Sequence, residues 1–192
     1  LRAGVVEMAF ENVSYPALIK QREGVFDVHF PTLLPDFGWE NSLTSGPTKK
    51  EAIQNAKRSL AYLLAGYLYD NEDLPSRVPI PANLVTKEME LVFIKTSYSD
   101  YAEEIENHLP GRHWHIDFNR DWESDYNAVA YKNEQGLWDV RIDGDLPIDI
   151  EPEKLYQLCP TYPLICTVRR RVEAEEAFDH FVLKVKEMEK RL

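Results

Sequence analysis

Hydrophobic positions in the first half of the chain follow a period of two, then a helical period, then an unbroken apolar run. Val13 to Lys20 is β-prone, "QREG" interrupts it, and Val25 to Phe30 alternates with Phe26, Val28 and Phe30 on one face. Two such runs around a polar tetrad predict a β-hairpin. Thr32 to Thr44 holds Pro35, Gly38 and Trp39 and reads as a loop, or as a third short strand around Phe37–Leu43. From Lys49 to about Asp70, Ala52, Ile53, Ala56, Leu60, Leu63, Leu64 and Tyr67 form one stripe, opposite Lys50, Gln54, Lys57 and Arg58. That spacing predicts an amphipathic helix. Gly46-Pro47 reads as a turn before it. Thr48 stands at the N-cap, and Glu51, three residues on, can bond back to the cap as a capping box. Pro75, Pro79 and Pro81 then forbid a helix and predict an extended connector. Leu91 to Ile94 is continuously apolar and reads as a buried strand.

The second half starts near Asp100. "SDYAEEIENHL" reads as a short helix ended by Pro110-Gly111, followed by strands in "RHWHIDF" and on both sides of an "NEQG" turn. "EPEKLYQLC" reads as a helix with Pro152 in its first turn, and "PLICTVRRR" as a strand. Glu173 to Leu192 is a long amphipathic helix with Ala174, Ala177, Phe178, Phe181, Val182, Val185 and Met188 inward. The fold class is therefore α+β in two domains, residues 10–104 and 106–192. The first is a small antiparallel sheet with one packed helix. The second is a further α+β unit ending in the long helix. With 192 residues, the chain is long enough to bury a sizeable core without staples.

Charge changes the picture more than composition does. The formal net charge is −11, with 33 acidic against 22 basic residues. Most of the excess lies after residue 100. Such a surface repels phosphate backbones, so general nucleic-acid binding is disfavoured. It suits a basic protein partner, or it serves only to keep the chain in solution. Cys159 and Cys166 are the two cysteines. With no signal peptide and no apolar run near ~18 residues, they read as reduced thiols in a cytoplasmic protein with no membrane segment.

Several short pieces recur together in order: Tyr15-Pro16-Ala17, Gly24, His29-Phe30-Pro31, Thr44-Ser45-Gly46-Pro47-Thr48, Glu51-Ala52, Asn55-Ala56, Leu60 and Leu74-Pro75. This ordered set, with "ELVFIKTSYSDY" after it, resembles the HicB-like antitoxin family. The resemblance covers residues 10–104 and implies a truncated RNase H-like βββαβ fold. It further implies a bacterial antitoxin of a toxin–antitoxin system, which neutralises a small basic ribonuclease toxin by occluding its RNA-binding surface. Many family members also bind their own promoter through a C-terminal ribbon-helix-helix or helix-turn-helix. Residues 106–192 look like neither ending, so promoter binding is not carried over. "LLPDFGWENSL" also departs from the family's turn.

Candidate chemistry is sparse. On a strand, His113, His115 and Asp117 point to one side, and two imidazoles with a carboxylate suit Zn²⁺ or Fe²⁺. The same pattern also occurs as an ordinary exposed face, and a second motif is lacking. RNase H-type hydrolysis needs converging carboxylates, and none are visible in the first domain. Arg169, Arg170 and Arg171 form a dense basic run that can meet phosphate or pair with Glu173, Glu175 and Glu176. Lys49, Lys50, Lys57 and Arg58 make a second patch on the exposed face of the first helix, which reads as a solvated face or as an RNA contact. No enzyme motif and no cofactor are indicated.

The surface expected to matter is an open sheet edge. Val13–Lys20 is the candidate edge for homo-oligomer formation or toxin contact. Tyr15, Asp36, Phe37, Trp39 and Glu40 are the candidate interface residues, aromatic anchors among acids. The expected function is thus a non-catalytic binding protein, an antitoxin or antitoxin-derived module. The alternatives are a stand-alone RNA- or DNA-binding protein on the same scaffold and a metal-dependent enzyme at His113 and His115.

Overall fold

In the computed structural model, which describes residues 10–33, 42–118, 125–147 and 150–190, strand β1 (Val13–Arg22) turns back into β2 (Val25–His29) through Glu23 and Gly24 alone. Both turn residues take positive φ, 47° and 83°. That is what a two-residue hairpin needs to match the twist of its strands, and glycine adopts it without strain. β3 is short, Thr44–Gly46, and follows the Phe37–Leu43 stretch in which a third strand is expected; residues 37–41 of that stretch lie outside the described residues.

Helix α1 (Lys49–Tyr69) begins where the sequence predicts. Thr48 caps it with a variation on the capping box. Its hydroxyl oxygen accepts from the Glu51 N–H at 3.2 Å, and the hydroxyl itself donates to the Glu51 carboxylate at 2.7 Å. The expected return bond from Glu51 to the cap's backbone N–H is replaced by this hydroxyl contact. β4 (Met89–Thr96) follows the proline-rich connector, and α2 (Ala102–His108) follows β4.

The first sheet has strand order β3-β2-β1-β4. All of Val13–Lys20 is registered antiparallel with Met89–Thr96, so β1 is interior and not the free edge expected of it. The reason is legible in its burial. Tyr15 to Ile19 is buried on both faces, and only a strand flanked on each side hides its backbone as well. One face of this sheet packs on α1. Tyr15, Ala17, Ile19, Val28 and Ile94 meet Ala52, Ala56, Leu60, Ala61, Leu64 and Ala65 there. Alanines facing the sheet on successive turns of α1 let the helix lie close. Ile105 and Leu109 belong to the same core.

The chain divides into two compact units between Leu109 and Pro110. α2 therefore belongs to the first unit, although its sequence reads as the opening of the second half. The second unit is an antiparallel sheet of order β5-β6-β7-β8, made of β5 (His113–Asp117), β6 (Asn127–Lys132), β7 (Trp138–Ile142) and β8 (Leu164–Val168). α3 (Pro152–Leu158) precedes β8, and α4 (Arg171–Glu189) ends the unit. Ala174, Phe178, Phe181, Val182 and Val185 of α4 are buried. Trp114 and Trp138 stack with ring centroids 3.8 Å apart.

Candidate functional site

Tyr15 is not a surface residue. It points from β1 into the α1 core at 2% exposure, and its hydroxyl donates to the Pro75 carbonyl at 2.8 Å. It anchors the connector and leaves nothing for a partner to grip. Asp36, Phe37, Trp39 and Glu40, the other candidate interface residues, lie outside the described residues.

The basic residues divide between the two units. In the first, Lys49 Nζ pairs with the Glu90 carboxylate at 2.6 Å. Lys57 is half-buried and gives its backbone carbonyl to the Thr96 hydroxyl, while Arg58 is exposed. In the second, the Glu173 carboxylate accepts the backbone N–H groups of Arg169 and Arg170 at 3.0 and 3.2 Å, which ties down the start of α4. Arg171 Nε donates to Glu175 at 2.9 Å. Arg171 thus takes the pairing with Glu175 that the sequence offers, and Lys49 gains a partner in Glu90 that its reading as a solvated face or RNA contact did not include.

His113, His115 and Asp117 share the outer face of β5, as the alternation requires, while Trp114 and Ile116 are buried. The two imidazole Nε2 atoms approach to 3.2 Å, and the His113 ring tilts over Tyr131. Among the described residues, no three His, Cys, Asp or Glu side chains converge as a metal site would require. Asp117 does not join the pair. Burial, followed by the neighbouring Cys159, pushes the Cys166 thiol up to about 11, so it stays protonated at neutral pH.

A surface that the sequence reading passed over lies where α1 meets α2. Phe10, Glu11 and Asn12 clasp the segment after β4. The Phe10 carbonyl accepts from the Tyr98 N–H at 2.8 Å, and Asn12 N–H donates to Ser97 Oγ at 2.9 Å. Glu11 takes both the N–H and the hydroxyl of Ser99, at 3.1 and 2.9 Å. These bonds, the Ser99 hydroxyl first, hold its carboxyl below the usual range. The clasp fixes Tyr98 edge-on to Phe10 and sets the entry to α2.

Tyrosines then meet polar partners on the two sides of α2. The Tyr98 hydroxyl donates to Glu106 at 3.0 Å, and the Tyr62 hydroxyl, from α1, donates to Glu104 at 3.1 Å. Gln54 donates to the Tyr101 hydroxyl at 3.3 Å. Partial burial raises all three phenols, with Glu106, Glu104 and Asp100 adding to the rise at Tyr98, Tyr62 and Tyr101 respectively. Asp100, Glu103, Glu104 and Glu106 stand in a stretch, Ser97 to His108, that contains no lysine or arginine. The result is an acidic surface around α2 with oriented aromatic rings, where Glu104 and Glu106 flank the buried Ile105 and Arg58 lies near Tyr62 and Tyr101. Such a surface is suited to holding cations or a basic protein. The string "YSDYAEEIE" carries the acids and two of the rings in the sequence, but Tyr62 and Glu11 join it only in the fold.

The apolar run of β4 is also placed differently from its reading as a buried strand. Val92 and Ile94 face the α1 core, but Leu91 and Phe93 point to the other face and are 47% and 69% exposed. β4 is an edge strand, and β3 is the other edge. No helix of the described residues is long and apolar enough to cross a membrane. No protein-family model matches the chain, and no curated protein matches it either.

Proposed function

We propose that this chain is a non-catalytic binding protein, an antitoxin or antitoxin-derived module that neutralises a small basic ribonuclease by covering its RNA-binding surface. The observation that carries the reading is the tyrosine–glutamate surface around α2: Tyr62, Tyr98 and Tyr101 among Glu11, Asp100, Glu103, Glu104 and Glu106, with no lysine or arginine from Ser97 to His108 and Arg58 as the neighbouring cation. The resemblance of residues 10–104 to the HicB-like family supports it, as does the net charge of −11. An acidic face steers a basic partner into encounter and then competes with RNA for the same cationic surface. Rings held by hydrogen bonds lose little further freedom when they are covered.

A stand-alone RNA- or DNA-binding role has less support, because Lys49 and Arg171 are already engaged by Glu90 and Glu175. The test is capture of the tagged chain from nuclease-treated lysate of its own host, beside a Glu103→Lys, Glu104→Lys, Glu106→Lys variant. A small basic protein retained near one-to-one by the native chain and lost by the variant is the expected result. Equal retention by both, or retention of nothing, overturns the reading.

A further inference from the structure

We infer that β4 is a self-association edge, and that two copies of this chain pair antiparallel along it to join their N-terminal sheets into one. Unlike the tyrosine–glutamate face, this surface is uncharged overall. From Lys87 to Thr96, two lysines stand against two glutamates, so copies of a chain of charge −11 meet there without local repulsion. A strongly basic partner finds no complement on the same edge.

The strand carries Glu90 and Lys95 but neither of the backbone protections of an edge. It runs eight residues without proline or bulge, is registered only with β1 among the described residues, and exposes Leu91 and Phe93 on the face away from α1. Long apolar edges of this kind pair with another strand. Symmetry decides which strand. With a two-fold axis at Val92, Leu91 of each copy stands opposite Phe93 of the other, and Met89 opposite Lys95, all on one face. Directly opposed side chains on a sheet face lie within contact distance, so the two exposed residues cover each other twice. Glu90 keeps Lys49 beside it and needs no partner from the second copy. The other edge, β3, has only three residues, too few to receive an eight-residue strand, so head-to-tail growth is disfavoured and the closed dimer is preferred.

The test is sedimentation velocity of the full chain over a range of concentrations, with amide exchange read across β4. The expected result is a monomer–dimer equilibrium in which alternate amides of residues 90–95 gain protection as the dimer forms. Leu91→Lys with Phe93→Lys, both at exposed positions, should weaken association by roughly tenfold or more, because each contact is lost twice and lysines are brought face to face. Leu183→Lys, an exposed apolar position on α4, should leave it unchanged. A chain monomeric at every concentration overturns the proposal and leaves the edge to a different protein. A dimer indifferent to the β4 lysines, or one without new protection in β4, overturns it as well. Because the acidic face is untouched by these variants, failure here and failure of the antitoxin reading are separate results.

Discussion

The Tyr15 hydroxyl donates to the carbonyl of Pro75 across 60 positions of sequence, tying the interior strand of the first sheet to the start of the connector. Tyr15→Phe keeps the ring and leaves that carbonyl without its donor. The expected loss is about 1–2 kcal/mol, the usual cost of an unmet part-buried group, read as a lower urea midpoint at unchanged slope. Proteolysis within Pro75–Lys87 should accelerate. Burial raises the Tyr15 phenol above its ordinary value. Its contribution is therefore complete below the ordinary tyrosine range and is lost as pH climbs through the raised value. The phenylalanine variant should lack that alkaline component.

Gly46 ends β3 directly beneath the first turns of α1. A Cβ placed there would meet the backbone nitrogen of Ala52 at 2.5 Å and its Cα at 2.9 Å. Backbone cannot swing aside as a side chain can. Gly46→Ala should cost about 1–3 kcal/mol as an overpacked contact, measured by thermal or urea unfolding. An unchanged midpoint would show that α1 does not approach β3 this closely.

Glu11 and Ser99 should give the first unit a mild acid sensitivity. The folded-state carboxyl is held low by the Ser99 hydroxyl and N–H. Its contribution is present above the ordinary glutamate range and fades as pH falls through the lowered value. Ser99→Ala should flatten this part of the melting temperature against pH profile. Since Glu11 lies on the acidic face, the same variant is expected to loosen Tyr98 without unfolding the sheet.

Phe178 is fully buried on α4 in the core of the second unit. Phe178→Ala should destabilise by about 3–5 kcal/mol, the range for removing a large ring from a packed core. The stacked Trp114–Trp138 pair reports on this unit, so tryptophan fluorescence during denaturation is the direct check.

The residues that were legible in the sequence are those whose partners are near. The hairpin around "QREG", whose turn proper narrows to Glu23-Gly24 because Gln21 and Arg22 stay in β1, the stripe of α1 from Ala52 to Leu64 and the inward row of α4 follow from periods of two and 3.6, which local sterics enforce. Strand order is another matter. "YPALI" and "LVFI" are both apolar runs, and nothing within either one says which neighbour will flank it. The first became the interior strand and the second an edge because the register pairs Val13 with Thr96. That fact resides in packing against α1 and not in any window of sequence. The boundary expected near 104–106 cuts through α2 for a related reason. Ile105 and Leu109 are the apolar residues that dock it, and both point back to a core built earlier in the chain. The candidate face was lost with it, since Tyr62 and Glu104 are 42 positions apart and join only when α1 and α2 meet.

The register of β1 has a consequence during synthesis. Its hairpin partner β2 follows at once, but Met89–Thr96, which closes its other side, is made only after α1 and the connector. At ~5–20 residues per second the ribosome needs on the order of several seconds to supply it. Through that interval Tyr15 to Ile19 belongs to a nascent chain with one flank open. The emerging hairpin is thus exposed to chaperones and to neighbouring nascent chains until the last strand of its sheet arrives. Substitutions that slow the docking of β4 should appear first as reduced yield of folded protein, before any change in the stability of what does fold.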